Sequence, residues 1–92
     1  MTDHVDIDGD APIFAIAAAA QLSGMHPQTL RQYDRLGLVV PARNEGGSRR
    51  YSLRHVEQLR EVARLSADGM SLPAIARLIS LEQRVHDLTR RV

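Results

Sequence analysis

The stretch His26-Pro27-Gln28-Thr29-Leu30-Arg31-Gln32-Tyr33-Asp34-Arg35-Leu36-Gly37-Leu38 decides the fold. Proline suits the first position of a helix, because its fixed φ is already helical and the N–H it lacks would find no partner there. Glycine suits the position just past a helix end, where the chain turns left-handed. These two residues predict a helix from Pro27 to Leu36. Within it, Gln28, Arg31, Gln32 and Arg35 fall at i, i+3, i+4 and i+7 and share one face. Leu30, Tyr33 and Leu36 point elsewhere, toward a core. Asp34 turns away from the polar face and is expected to tolerate a change of charge. A polar stripe is ordinary on any solvated helix, so its neighbours decide what it means.

Upstream, Ala17 to Ser23 predicts a helix, since alanine has the highest helix propensity. Gly24 fits the position after its end. Ala20, four residues earlier, is small enough for a second helix to cross closely. Together they give the pattern of a helix-turn-helix. Pro12-Ile13-Phe14-Ala15-Ile16 reads as a short strand or an extended lead-in. Residues 1–11, with Asp3, Asp6, Asp8 and Asp10, lack periodicity and read as a disordered acidic arm.

Downstream, Leu38-Val39-Val40 and Arg50-Tyr51 can form the arms of a hairpin with Asn44-Glu45-Gly46-Gly47 at its tip. Arg43, Arg49 and Arg50 flank that tip. Like charges so placed repel one another unless a polyanion joins them. Ser52 is a candidate N-cap for a helix running to about Ala67, with Val56, Leu59, Val62, Ala63 and Ser66 as its core side. Asp68-Gly69 ends it. Ser71 can cap a last helix, with Pro73 in the first turn and an apolar stripe of Leu72, Ile75, Ala76 and Ile79. A second stripe, Leu78, Leu81, Val85, Leu88 and Val92, starts on another face with the a/d spacing of a coiled coil. It covers two heptads. It reads either as packing within the subunit or as a dimer seam, and the seam is favoured because the core already has its own stripe.

A chain of 92 residues forms one small domain with a modest core, which oligomerisation would help to stabilise. The expected organisation is an arm over 1–11, a DNA-binding-type domain over 12–70 and a helical segment with a seam over 71–92. The absence of cysteine excludes disulfides and thiolate metal sites. The longest apolar run, Ile13 to Ala20, is too short to span a bilayer, and the acidic start is unlike a secretory leader. A cytoplasmic, nucleoid-associated protein is expected. The net charge of +1 hides an asymmetry: residues 1–10 hold four acids and no base, whereas from residue 11 twelve arginines face seven acids, a balance of +5. Every basic residue is arginine, whose planar fork suits phosphate and guanine. A GC-rich genome would also favour arginine.

The order of a strand-like lead, an Ala-rich helix, a turn, Thr29-Leu30-Arg31-Gln32-Tyr33-Asp34-Arg35-Leu36-Gly37-Leu38, an Arg-flanked loop and Arg50-Tyr51-Ser52 resembles the MerR family of bacterial transcription regulators over roughly residues 12–80. Ala19 to Val39, Gly47-Ser48-Arg49-Arg50-Tyr51-Ser52 and Leu78-Ile79-Ser80-Leu81-Glu82 are similar to the heat-shock repressor branch of that family. The resemblance implies a mainly α fold, a winged helix-turn-helix with a small β-hairpin wing and a C-terminal dimerisation helix. It implies a homodimer on an inverted repeat of double-stranded DNA, repression of chaperone operons, and the chaperone DnaK as co-repressor. Carried onto this chain, the DNA-binding residues are His26, Pro27, Gln28, Thr29, Arg31, Gln32, Tyr33 and Arg35 on the recognition helix, and Arg43, Arg49, Arg50 and Tyr51 at the wing and its base. Gln32 replaces the first of the paired tyrosines common in the family. Ala17 stands where members often place a Ser or Thr cap, so the first helix is expected to fray. Members of that branch usually continue into a longer helix and tail than one ending at Val92.

Catalysis is not expected. His4, His26, His55 and His86 are scattered, none at metal-ligand spacing with another. No phosphate-cradling or nucleophile motif is present, and no cofactor or metal is expected. His26 reads as capping or bordering its helix. An excisionase-like architectural protein, which shares the winged fold and binds DNA without acting as a repressor, is the alternative function.

Overall fold

A computed structural model describes residues 8–90. In chain order the described residues form β1 (Phe14–Ala15), α1 (Ile16–Ser23), α2 (Pro27–Arg35), β2 (Ala42–Arg43), β3 (Arg49–Tyr51), α3 (Leu53–Ala67) and α4 (Leu72–Arg90). The fold is mainly α, with one small antiparallel sheet, as expected. The sheet order is β1-β3-β2. Phe14 lies opposite Tyr51 and Ala15 opposite Arg50 on one side of β3, while Ala42 and Arg43 lie opposite Arg50 and Arg49 on the other. The wing is therefore anchored by β1 as a third strand, which fixes its base to the start of α1.

Gly24 takes φ 72° and ends α1; the amide of Met25 then reaches back to the Ala20 carbonyl at 3.0 Å. That bond turns the chain sharply enough for α2 to start at Pro27 and cross α1 over the buried Ala19 and Ala20. Leu30 is the α2 side chain fully enclosed there. The core continues through Leu38, Val39, Tyr51, Val56, Leu59, Val62, Ile75 and Ile79, with Phe14, Ile16, Met25, Tyr33, Leu65 and Ala76 packed around it.

Four expectations are corrected. Leu38-Val39-Val40 is not a strand: the amides of Leu38 and Val39 both donate to the Tyr33 carbonyl, at 2.9 and 3.4 Å. They close the end of α2, with Gly37 left-handed between. Leu38 and Val39 still enter the core, and the hairpin arm starts later, at Ala42. Leu36 is 58% exposed, because α2 ends at Arg35 and the chain turns before a further side chain can reach the core. Of the predicted core stripes, Ala63 and Ser66 on α3 and Leu72 at the start of α4 are exposed, and Leu65 packs on α3 instead. The uncapped N-terminus of α1 belongs to Ala15 rather than Ala17, since the helix starts one residue earlier and β1 runs directly into it.

The acidic arm falls mostly outside the described residues. Its last four residues, however, are placed. The Gly9 carbonyl accepts from the Arg54 amide at 2.9 Å. The Asp10 carboxylate receives His86 Nε2 at 2.8 Å and an Arg90 guanidinium nitrogen, both on α4. The hydrogen bond from His86 holds the Asp10 carboxyl below its usual 3.8, against the opposing effect of burial, and the charges of His86, Arg90 and Arg54 act with it.

α4 splits into two halves. Its first half lays Ile75 and Ile79 on α3. Its second half is joined to α3 by polar contacts: Gln58 Nε2 donates to Gln83 Oε1 at 3.0 Å, and Arg54 donates to the same oxygen at 3.3 Å and to the Glu82 carbonyl at 3.4 Å. On the outer face Leu81, Val85 and Leu88 are 54, 63 and 61% exposed. Leu78 is half-buried, and Val92 lies outside the described residues.

Candidate nucleic-acid interface

The first turn of α2 is preset by its cap. His26 sits outside the helix with extended φ/ψ, and its Nδ1 accepts the amide of Gln28 at 3.0 Å. One of the orphan amides of the helix start is thereby satisfied. His26 thus caps its helix, and its side chain is engaged before any ligand arrives. Gln28, Gln32 and Arg35 are exposed, and Arg31 is half-exposed on the same side. Gln28 Oε1 accepts from Arg31 Nη1 at 2.6 Å, so the two foremost polar side chains form one flat donor and acceptor array. Thr29 and Pro27 are half-buried at the edge of this face, and Tyr33 leans on the core.

The wing tip is built from its own side chains. Asn44 Oδ1 accepts the Ser48 amide at 2.9 Å, while the Asn44 and Ser48 backbones pair, also at 2.9 Å. Gly47 has φ 84°, a conformation that costs a β-carbon-bearing residue about 1 kcal/mol or more. Arg43 Nη1 donates to the Gly47 carbonyl at 3.0 Å and so braces the tip against β2.

The three wing arginines do not act alike. Successive residues of a strand point to opposite sides, so Arg49 and Tyr51 share the inner face of β3 and Arg50 lies on the outer one. Arg49 Nε meets Asp34 Oδ2 at 2.7 Å, and Arg43 Nη2 meets the same oxygen at 3.0 Å. Arg50 lies between Ala15 and Ala42 in register and makes no ion pair among the described residues. Arg35, too, has no such partner there.

Asp34 is therefore the residue that sequence reasoning misplaced. It does turn away from the Gln28–Arg35 face, but it turns toward the wing and is only 12% exposed. A change of charge there would leave two arginines facing one another. An acid in the last turn of a basic helix, followed by an arginine-flanked hairpin, was the available signal. Tyr51 is also reassigned. It is fully buried, its hydroxyl has no hydrogen-bond partner among the described residues, and burial raises its pKa. Its ring stands edge-on to His55 at 6.0 Å, so it supports the wing from beneath and cannot touch a phosphate from this position.

The remaining predicted residues are divided between α2 and the hairpin, with Arg50 on the face of β3 opposite to Arg49. α2 presents Gln28, Arg31, Gln32 and Arg35, and the hairpin beside it carries Arg50 with Arg43 and Arg49 behind the clamp. The width of a major groove admits one α-helix, and α2 packs Leu30 and Tyr33 on the core while turning a polar face outward.

Comparison with known proteins identifies the family and the fold. The sequence pattern described as the MerR HTH family of regulatory proteins matches residues 14–82. The chain is 55% identical over 87 residues to the heat shock protein HspR of Streptomyces coelicolor, covering 94% of this chain and 58% of that protein. It is 36% identical over 72 residues to the mercuric resistance operon regulatory protein of Bacillus cereus, covering 77% of this chain and 54% of that one. The chain thus spans little more than half the length of these relatives. Among solved structures it resembles HiNmlR, a MerR family regulator lacking the sensor domain and bound to promoter DNA. The TM-score is 0.68 at 30% identity, covering 84% of this chain and 65% of that one. A winged helix-turn-helix built on these residues, with this pattern over three quarters of its length, belongs to the MerR HTH family of regulatory proteins.

Proposed function

We propose that this chain binds duplex DNA as a symmetric dimer and represses transcription of heat-shock and chaperone operons. The observation that carries the DNA-binding reading is the exposed Gln28–Arg31–Gln32–Arg35 face of α2 beside an arginine-bearing wing. The likeness to HspR of Streptomyces coelicolor supports the heat-shock assignment, and the promoter-bound state of HiNmlR supports the docking mode. α2 enters the major groove with its first turns. The wing lies on the adjoining backbone, where its charge contributes sequence-independent affinity. DnaK as co-repressor follows from the family resemblance and belongs to the same proposal. Tyr51 has no place in the contact set, and His26 contributes through its cap.

A single recognition helix reads few base pairs, so specificity requires a second copy on an inverted repeat. Leu81, Val85 and Leu88 form the seam, with Leu78 at its edge and Val92 beyond the described residues. Burying a leucine or valine completely is worth about 1.5–3 kcal/mol, so covering these three is worth ~3–4 kcal/mol per protomer and ~7 kcal/mol for the pair. Lost translational and rotational freedom costs about 4–15 kcal/mol. The free dimer is accordingly weak and dissociates at micromolar concentration without DNA.

The test joins in vitro selection from a random duplex library with analytical ultracentrifugation. The selected sites should be inverted repeats, and genome-wide mapping should place them upstream of chaperone genes. At concentrations where the parent is dimeric, or on the repeat itself, Leu81→Glu with Leu88→Glu should stay monomeric, with unchanged helicity and sharply reduced affinity for the repeat. A double variant that stays dimeric places the interface elsewhere, and one that unfolds assigns the stripe to the subunit core. Bound sites confined to the ends of integrated elements would favour an architectural, excisionase-like role.

A further inference from the structure

We infer that Asp34 is a positioning residue for DNA recognition: its carboxylate clamps Arg43 and Arg49 and so fixes the wing against the recognition helix. The inference rests on the DNA-binding reading above and goes beyond it, since Asp34 itself faces no DNA.

A single oxygen, Asp34 Oδ2, receives Arg49 Nε at 2.7 Å and Arg43 Nη2 at 3.0 Å. Arg43 passes the link on through Nη1 to the Gly47 carbonyl at the wing tip. An unbroken series of bonds therefore runs from the last turn of α2 to the end of the hairpin. Without it, the wing would be held by two- and three-residue strands and by Tyr51 at its base, and so short a ladder leaves the tip free to swing. The Arg49 pair is the sheltered one: Asp34 is 12% and Arg49 21% exposed, whereas Arg43 is 49% exposed, so water screens the Arg49 pair less than it screens a surface ion pair.

Electrostatics give the clamp a distinctive signature. Two guanidinium groups on one carboxylate leave a single net positive charge where three ionised groups meet. Removing the carboxylate raises the local charge and frees two arginines for any phosphate within reach. Non-specific affinity depends on charge and not on geometry, so it must hold or rise. Operator affinity depends in addition on holding α2 and the wing at one separation. Loss of Asp34 must therefore act oppositely on the two kinds of binding, which neither a simple loss of fold nor a simple gain of charge can do.

The experiment uses the full 92-residue chain and two duplexes, one recovered by selection from a random library and one scrambled. Asp34→Asn should lower the selected-to-scrambled affinity ratio at least tenfold. Scrambled-duplex affinity should stay level or rise, and the log K against log salt slope on that duplex should steepen by about 0.9 for each newly engaged phosphate. Asp34→Glu, which keeps a carboxylate on the same turn, should restore part of the ratio. Equal gains on both duplexes would show that Asp34 only neutralises charge and would overturn the clamp. So would an unchanged ratio. If Asp34→Asn unfolds, Arg43→Gln with Arg49→Gln breaks the clamp from the wing side and must lower the same ratio; a ratio left intact there overturns the clamp as well. A parent chain that prefers no selected duplex would sink the DNA-binding reading itself, whereas a parent preference that survives these variants sinks the clamp alone.

Discussion

Acidification should weaken the junction between the wing and α3 through one side chain, His55. The helix start is closed by a reciprocal pair. Ser52 Oγ accepts the His55 amide and His55 Nδ1 accepts the Ser52 amide, both at 3.0 Å. In the usual form of this box the third helical residue is Glu or Gln; here an imidazole takes that place, and its nitrogen accepts only while unprotonated. Burial pushes the His55 pKa below the ordinary 6.5, with Asp10 opposing and Arg54 adding to the effect. Because the folded-state pKa lies below the unfolded one, the neutral ring is favoured by folding. Its contribution is complete above pH 6.5 and is lost as pH falls from there through the folded-state value.

Protonation places a donor against a donor. The lost bond costs about 1 kcal/mol, and an unpartnered buried amide costs about 1–3 kcal/mol. Ser52 is 1% exposed, so water does not replace the partner unless the helix start opens. Each kcal/mol of net loss corresponds to roughly 4–8 °C in Tm for a domain of this size. Thermal melting followed by circular dichroism between pH 8 and pH 5 measures it, with His55→Gln as the reference. The glutamine oxygen can fill the same acceptor role and does not titrate, so the other histidines cancel in the difference between the two chains. The parent should lose more stability on acidification than His55→Gln does. Parallel loss in the two chains would refute the reasoning, as would a glutamine variant already unstable at pH 8.

Other expectations follow from the interface. Arg50→Ala should flatten the salt slope by about 0.9 on any duplex, because Arg50 is the wing arginine outside the Asp34 clamp; an unchanged slope would remove β3 from the backbone contact. Gln28→Ala and Arg31→Ala should each cost roughly 1–3 kcal/mol on a selected duplex and relax base preference nearby. Since the two side chains are bonded to each other at 2.6 Å, the double variant should cost less than the sum, and strict additivity in competition binding would show that they act separately. Tyr51→Phe should leave DNA affinity unchanged and stability equal or slightly higher, because the hydroxyl it removes is buried without a partner. A fall in affinity would restore Tyr51 to the contact set.

Local chemistry was legible wherever one residue type decides a backbone state. Pro27, Gly24, Gly37 and Ser52 marked helix ends correctly because capping and left-handed turns depend on few atoms close in sequence. The apolar residues facing the core were legible by period in α3 and α4, but not at Leu36, Ala63, Ser66 and Leu72. Period names a face and does not say how far a partner surface extends along it. The strand order was out of reach: β1 and β3 are 34 residues apart, and two-residue strands carry no alternation to read. Asp34 was misjudged for a related reason. Helical spacing correctly placed it off the reading face, but its partners are 9 and 15 residues away on another element, and only the three-dimensional fold brings them together.

In the proposed dimer, two kinds of contact would divide the work of placing α2 relative to its symmetry mate. Apolar packing of Ile75 and Ile79 on α3 brings α4 close but is non-directional, so it tolerates rotation of the helix about its axis. Hydrogen bonds do not. Gln58 and Arg54 hold Gln83 and the Glu82 carbonyl from α3, and Asp10 holds His86 and Arg90 from the opposite end of the chain. These contacts lie along the half of α4 that carries Leu81, Val85 and Leu88, and they fix which way that stripe faces. In a symmetric dimer the facing of the stripe determines the angle between the two subunits. That angle in turn sets the separation of the two α2 helices and thus the half-site spacing a duplex must offer. A variant that loosens this bracket, such as Gln83→Leu, keeps the apolar contacts and the reading residues. It should therefore accept selected duplexes with one base pair inserted between half-sites better than the parent does. Binding that remains as spacing-sensitive as the parent's would mean that the seam, and not the bracket, sets the geometry.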